Sequence, residues 1–272
     1  MEFDQFLKET SSLFGLHWRP FQKRGIRRRL EHRLAELGLA SFEEYSQRIQ
    51  EDPREKNHLC KILTVPISRF FRDKEVFNTM ETSVFPALLK QNPRELNIWS
   101  IGCASGEEPF SLSLLWKGRF ENHWPQTRFS IVATDIDESL LERAKEGRYK
   151  KSSLREVPQD ILGKYFRAEG KAFLLDERIG ERVEFRKHDI LQEEPFPRMD
   201  LVFCRNLAFT YFSREIQVEV LGKIFMCLGE EGYLVTGSEE SIPLTYPTLF
   251  TPAFPKQKIY QKLILMTSSP SR

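Results

Sequence analysis

The sequence predicts an α/β protein: a mostly parallel sheet covered by helices on both faces, preceded by a helical domain and carrying a small antiparallel insertion. Three patterns predict this. From about Leu96 onward, short apolar runs alternate with helical patterns, as in strand–helix–strand units. Before about residue 90 the apolar spacing is helical. Between Tyr165 and Arg186 the alternation breaks into short strand-like runs around a turn at Gly180. The chain of 272 residues is long enough for two domains at roughly 150 residues each. The expected division is a helical domain over 1–90 and an α/β domain over 91–272, with the insertion at about 163–186.

Each element has its own local signal. Over Phe21–Leu39, Ile26, Leu30, Leu34 and Leu37 share one helix face. Gly38 stands where that helix stops. Ser41 caps the next helix, and Glu44 three residues on completes a capping box. Pro53 and Pro66 punctuate the segment after it, and Phe70 and Phe71 begin another helical stretch near Asp73. Strands are expected at 97–101, 129–137, 182–190, 199–206, 232–237 and 258–266, with helices after the first, second and fourth. Pro243 to Pro255 reads as a loop, and 267–272 as a frayed tail. This order makes the sheet Rossmann-like and doubly wound.

Composition excludes several classes. With 41 Lys+Arg against 39 Asp+Glu, the formal charge is +2, unlike the strongly basic domains that bind nucleic acid. The 22 Phe argue against disorder. No apolar run reaches the roughly 18 residues that span a bilayer, so no membrane insertion is expected. The opening MEFDQFLKET lacks the apolar core of a secretory signal. Cys60, Cys103, Cys204 and Cys227 form no CxxC pair, and the histidines form no HExxH. They read as reduced thiols of a cytoplasmic protein without a metal site.

The turn after the first strand is Gly102-Cys-Ala-Ser-Gly106, followed by Glu107 and Glu108. Glycines between a strand and a helix form the nucleotide cradle of open α/β sheets. Two carboxylates at that helix start would repel a pyrophosphate, which wants free N–H groups and positive potential. They suit a cationic ligand group such as an amino-acid ammonium; alternatively, they complement the helix dipole. Asp135, at the end of the second strand, is placed to hold ribose hydroxyls, whereas Asp137 suits a helix N-cap. An acidic first loop with a ribose acid fits S-adenosylmethionine. Asp189, at the end of the third strand, meets an adenine amino group or is a surface turn acid. His188 beside it reads as structural.

Three stretches together resemble the chemoreceptor glutamate methyltransferase family of bacterial chemotaxis: WSIGCASGEEPFSLSLL (99–115), ATDIDESLLERAKEGRY (133–149) and DLVFCRNLAFTYF (200–212). ILTVPISRFFRD (62–73) and the Arg-rich RRRLEHRLAELGLASFEEY (27–45) extend the similarity over nearly the whole chain. The resemblance implies an S-adenosylmethionine-dependent enzyme that methylates glutamate carboxylates. It implies a cofactor shell of Ser68, Arg72, Gly102, Glu108, Asp135, Asp189, Ile190, Arg205 and Asn206, with Arg72 and Tyr211 at the acceptor. It also implies an acidic partner helix, such as a receptor methylation region, for the basic helix bearing Arg24, Arg27 and Arg28; a solvated face is the alternative. Other readings are a different acceptor on the same scaffold and a non-catalytic cofactor-sensing adaptor. Three departures stand out. Pro66 replaces the family's Asn, four residues (LAFT) separate Asn206 from Tyr211 where three are usual, and GSEES (237–241) lacks the family's histidine.

Overall fold

The computed structural model describes residues 1–14, 23–63, 68–90, 93–245 and 248–263. Pro66, the 267–272 tail and the first residues of the Phe21–Leu39 segment lie outside them. Four helices come first: α1 (Phe3–Phe14), α2 (Lys23–Leu37), α3 (Phe42–Glu51) and α4 (Pro53–Leu63). The Ile26–Leu30–Leu34 stripe of α2 is buried. The helix stops at Gly38 (φ +68°), where the Leu39 N–H returns to the Leu34 carbonyl at 2.9 Å. Ser41 Oγ accepts the Glu44 N–H at 3.2 Å, as a cap should. The reciprocal half is displaced by one residue, because the Glu44 carboxylate accepts from Ala40 N–H instead of Ser41. Polar bonds tie these helices together. Arg29 donates to the Ile62 carbonyl at 2.7 Å, and Arg33 pairs with buried Glu55 at 2.6 Å. The Arg33 hydrogen bond holds the Glu55 carboxyl below its usual range, against the opposing effect of burial.

Next comes a helical strap, α5 (Lys74–Thr79) running through a π turn into α6 (Phe85–Leu89). Then come β1 (Glu95–Ile101), α7 (Glu107–Leu115), β2 (Arg128–Asp135), α8 (Glu138–Glu146) and β3 (Arg148–Lys150). After these lie α9 (Gln159–Tyr165), β4 (Phe166–Glu169), β5 (Ala172–Leu175), α10 (Glu177–Gly180) and β6 (Val183–Lys187). The chain finishes with β7 (Met199–Phe203), α11 (Ala208–Tyr211), α12 (Arg214–Cys227), β8 (Leu228–Val235), β9 (Phe250–Phe254) and β10 (Ile259–Lys262).

The main sheet has the order β6-β2-β1-β7-β8-β10-β9. Its first five strands are parallel, and β10 runs antiparallel between β8 and β9. Alternation along the strands splits the apolar side chains between two cores. Leu96, Ile98, Leu201, Phe203 and Val235 face the core under α5, α6 and α7. Trp99, Ile101, Val202 and Leu234 face the core shared with α1–α4 and α12. The chain winds outward from β1 to β2 and β6, then returns to β7 on the other side of β1. That reversal opens a crevice beyond the carboxyl ends of β1 and β7, where open α/β sheets bind ligands.

Two expectations are corrected. The insertion is the three-stranded antiparallel sheet β3-β5-β4, and its tight turn is at Gly170 (φ +60°), not Gly180. Gly180 ends α10, and 183–187 joins the main sheet parallel to β2. Nothing local marks β3: three residues long, it pairs with β5 while Tyr149 packs edge-on against Phe70 at 4.7 Å. The stretch read as a loop from Pro243 to Pro255 contains strand β9, with Pro252 inside it. As the outermost strand, β9 tolerates a residue without an N–H donor.

Candidate active site

The loop after β1 is sewn onto β2. Gly102 and Cys103 donate their N–H groups to the Thr134 carbonyl at 2.8 and 2.9 Å, and Ala104 donates to Asp135 Oδ2 at 2.9 Å. Gly102 has φ +70°, and a Cβ there would lie 2.7 Å from Leu207 Cδ2, so the residue must be glycine. Ala104 itself sits at φ +48°. Asp135 Oδ1 accepts the Asp137 N–H at 2.9 Å. Burial pushes the Asp135 carboxyl upward, and the N–H groups of Asp137 and Ala104 oppose that rise. Asp137 caps α8 through the Ser139 N–H and pairs with Lys61 of α4 at 2.6 Å, tying the helical domain to this loop.

Glu107 and Glu108 both turn inward. Glu108 Oε1 accepts the Ser100 hydroxyl at 2.8 Å, and Oε2 accepts Arg205 Nη1 at 3.2 Å. Burial raises its carboxyl, and Arg205 opposes the rise. Glu107 is 5% exposed. Burial raises it too, against its own backbone N–H and hydrogen bonds from Ser68 and Ser153. Its Oε2 has no hydrogen-bond partner among the described residues. A pair that only complemented the helix dipole would stand in solvent; these carboxyls line an interior.

Arg205 is the hub. Its side chain is 2% exposed, lies 6.0 Å over the Phe77 ring, and also donates Nη2 to the Arg72 carbonyl at 3.0 Å and to Asp73 Oδ2 at 2.6 Å. The segment carrying Arg72 is pinned further by Phe70 N–H on the Ser153 carbonyl and by Phe71 N–H on Ser111 Oγ at 2.9 Å. Phe71 and Asp73 both have positive φ, at 52° and 61°. Non-glycine residues hold such angles only where the surroundings over-determine them, which is common at functional sites. Arg72 is half-buried between them, and its charge reaches Glu108.

Residues 67–259 match the family model described as the CheR methyltransferase SAM-binding domain, and residues 1–64 match the CheR all-alpha domain. The chain belongs to the CheR methyltransferase family. Among its relatives is the putative methyltransferase Cher3 of Pseudomonas putida, 31% identical over 261 residues and 92% of each chain. Chemotaxis protein methyltransferase 1 of Pseudomonas aeruginosa is 34% identical over 221 residues, 79% of this chain and 80% of its own. Chemotaxis protein methyltransferase 2 of Vibrio cholerae is 30% identical over 270 residues, covering 95% and 90%. This CheR protein is therefore an S-adenosylmethionine-dependent methyltransferase. The donor set fits that cofactor: two carboxyls raised by burial, Glu108 and Asp135, flank a glycine turn, and a ligand bearing positive charge offsets their burial.

The other expected residues of the CheR site are spread around this crevice and its supports. Asp189 closes a turn, its Oδ1 accepting the Leu191 N–H at 2.9 Å while its own N–H donates to Glu193. Ile190 is buried in the core shared with the helical domain. His188 is buried edge-on against Trp99, with Nε2 at 3.0 Å from the Glu194 carbonyl. Asn206 takes a positive φ of 57° beyond β7. The LAFT residues coil into α11 from Ala208, so Tyr211 ends a helical turn; it is 6% exposed and within electrostatic reach of Arg29 on α2. On α2, Arg24 and Arg28 are exposed, while Arg27 pairs with Glu31 at 2.8 Å and lies 5.6 Å over Phe3.

Two further residues support the site from outside the motifs that mark it. Lys223 of α12 caps the carbonyls of Ile190 and Leu191 at 2.8 and 2.9 Å, bracing the loop after β6. No local signal marks it, since it is one lysine within a plain helical pattern. Glu240 is fully buried beyond β8; an acid just past an apolar strand and Gly237 was its one visible sign. No helix among the described residues is long and apolar enough to cross a membrane, and no described cluster of His, Cys, Asp or Glu could hold a metal.

Proposed function

We propose that this CheR protein O-methylates glutamate side chains of a chemoreceptor-like protein. The observation that carries this reading is the Arg72 segment: an arginine whose backbone carbonyl is held by Arg205 and whose two neighbours are left-handed, beside a carboxyl-lined crevice. Bound S-adenosylmethionine supplies an electrophilic methyl group on a sulfonium. In this reading Glu108 meets its ammonium and Asp135 its ribose, while Ser68, Gly102, Asp189, Ile190, Arg205 and Asn206 complete the shell. A glutamate acceptor is already ionised at pH 7 and needs no general base. The chain's task is to orient it and strip part of its water. Arg72 does this through a planar pair of donors, with Tyr211 contributing a hydroxyl. Holding the reacting atoms about 3–3.5 Å apart supplies much of the rate.

Residues 1–90 then present the acceptor, and residues 91–272, completed by Ser68 and Arg72 from the preceding segment, hold the cofactor. The partner is an acidic helix of a receptor methylation region, met by Arg24, Arg27 and Arg28 in the cytoplasm. Transfer of labelled methyl from the cofactor into receptor fragments tests the proposal. Label released by mild base marks carboxyl esters and supports it. Base-stable label, or label only in a small molecule, overturns it in favour of another acceptor on the same scaffold.

A further inference from the structure

The Asn206 loop is held from behind by Glu240. Its Oε2 accepts the backbone N–H of Asn206 at 2.8 Å and of Gly237 at 2.5 Å, and its Oε1 accepts the Thr210 hydroxyl at 2.5 Å. These three partners come from three elements: the end of β7, the end of β8 and helix α11. All three are neutral donors, and the carboxyl is fully buried. A buried acid is tolerated where its oxygens are saturated with donors.

The consequences fall on two residues of the site. Asn206 sits at φ +57°, a left-handed conformation that asparagine adopts more readily than other non-glycine residues, and Glu240 holds its N–H there. A Cβ on Gly237 would lie 2.6 Å from Asn206 Nδ2 and 2.8 Å from Glu240 Oε2, so the Asn206 amide rests directly on the Gly237 backbone. Thr210 is the residue before Tyr211. One carboxyl thus fixes the Asn206 amide and the helical turn that ends in Tyr211.

We propose that Glu240 is a positioning residue for methyl transfer, locking Asn206 and α11 together across the ends of β7 and β8. It touches neither cofactor nor acceptor and acts through Asn206. The inference rests on the reading that Asn206 lies beside the transferable methyl group.

The test compares calorimetric affinities for S-adenosylmethionine and S-adenosylhomocysteine, which differ by that methyl group. In Glu240→Gln the amide can keep the two N–H groups on its oxygen only by donating its NH2 to Thr210 Oγ1, so the Thr210 bond reverses and the charge-assisted bonds to Asn206 and Gly237 become weaker neutral ones. The ratio of the two affinities should change by about tenfold, the effect of one well-placed hydrogen bond. Amide hydrogen exchange at Asn206 and Gly237 should accelerate in the ligand-free protein. A merely structural role would weaken both ligands equally and leave the ratio at the parent value, which overturns the inference. Asn206→Ala separates the two claims. If it leaves the ratio unchanged, the placement of Asn206 fails and the inference falls with it. If it shifts the ratio while Glu240→Gln does not, only the inference fails. Should Glu240→Gln not fold, Thr210→Val should shift the ratio in the same direction and Thr210→Ser restore it. Equal ratios in those two variants overturn the proposal.

Discussion

Arg205 at the end of β7 and Arg24 and Arg28 on α2 carry the same charge in opposite settings. Arg205 is enclosed, with Glu108, Asp73 and the Arg72 carbonyl as fixed acceptors. Arg24 and Arg28 stand in solvent. Between them lie Arg29 and Arg33, on the same helix but turned inward to the Ile62 carbonyl and Glu55. Desolvated charges that meet good partners define geometry, because removing one strands the others. Exposed charges define little geometry and act through the long-range field, on encounter rate and partner choice. One residue type therefore serves as a frame at the crevice and as a solvated positive face on the helix.

The largest test of this contrast is Arg205→Met. It leaves Glu108 and Asp73 without their cation, and should cost about 3–5 kcal/mol of stability, as for other broken buried pairs. Denaturant midpoints read the change. A loss below about 1 kcal/mol, the range of exposed pairs, would erase the contrast.

Next in size is Arg72→Lys. The ammonium cannot reproduce a planar two-donor contact, so the methylation rate should fall on the order of 10²-fold with the fold intact. Circular dichroism and single-turnover rates check this together. A lysine variant that turns over like the parent would make Arg72 part of the frame only and remove the case for a carboxylate acceptor.

Asp135→Ala sharpens the picture of the crevice. It removes the acceptor of the Ala104 and Asp137 N–H groups and, in the proposed reading, of the ribose. Affinity for S-adenosylmethionine should drop by roughly 1.5–3 kcal/mol, the range for hydrogen bonds to charged groups. Unchanged calorimetric affinity would remove the ribose assignment.

The smallest effect belongs to the exposed arginines. Arg24→Glu with Arg28→Glu should slow association with an acidic acceptor by about tenfold or less and flatten its salt dependence, while cofactor affinity stays put. Stopped-flow association at low and high salt measures both. Parental rates at low salt would make this face merely solvated.

Much of this protein is legible in one dimension because its causes are local. The Ile26–Leu30–Leu34 stripe, the stop at Gly38, the Ser41 cap, the apolar strands and the glycine turn with its two acids each arise from backbone geometry or side-chain periodicity within a few residues. Asp137 was legible as a helix cap for the same reason. The sequence by itself therefore determined the helical start, the parallel sheet and the positions of the loops along its edge. Tertiary structure decided what local signals do not encode. β3 exists because β5 offers it a ladder, β9 accepts Pro252 because among the described residues no strand pairs beyond it, and Glu107 and Glu108 turn inward because Ser68, Ser100 and Arg205 wait there. Arg205, Lys223 and Glu240 take their roles from partners some 30 to 130 residues away in the chain. Burying a charge is favourable only where folding has gathered its partners, so which arginine becomes frame and which stays in solvent is settled in three dimensions.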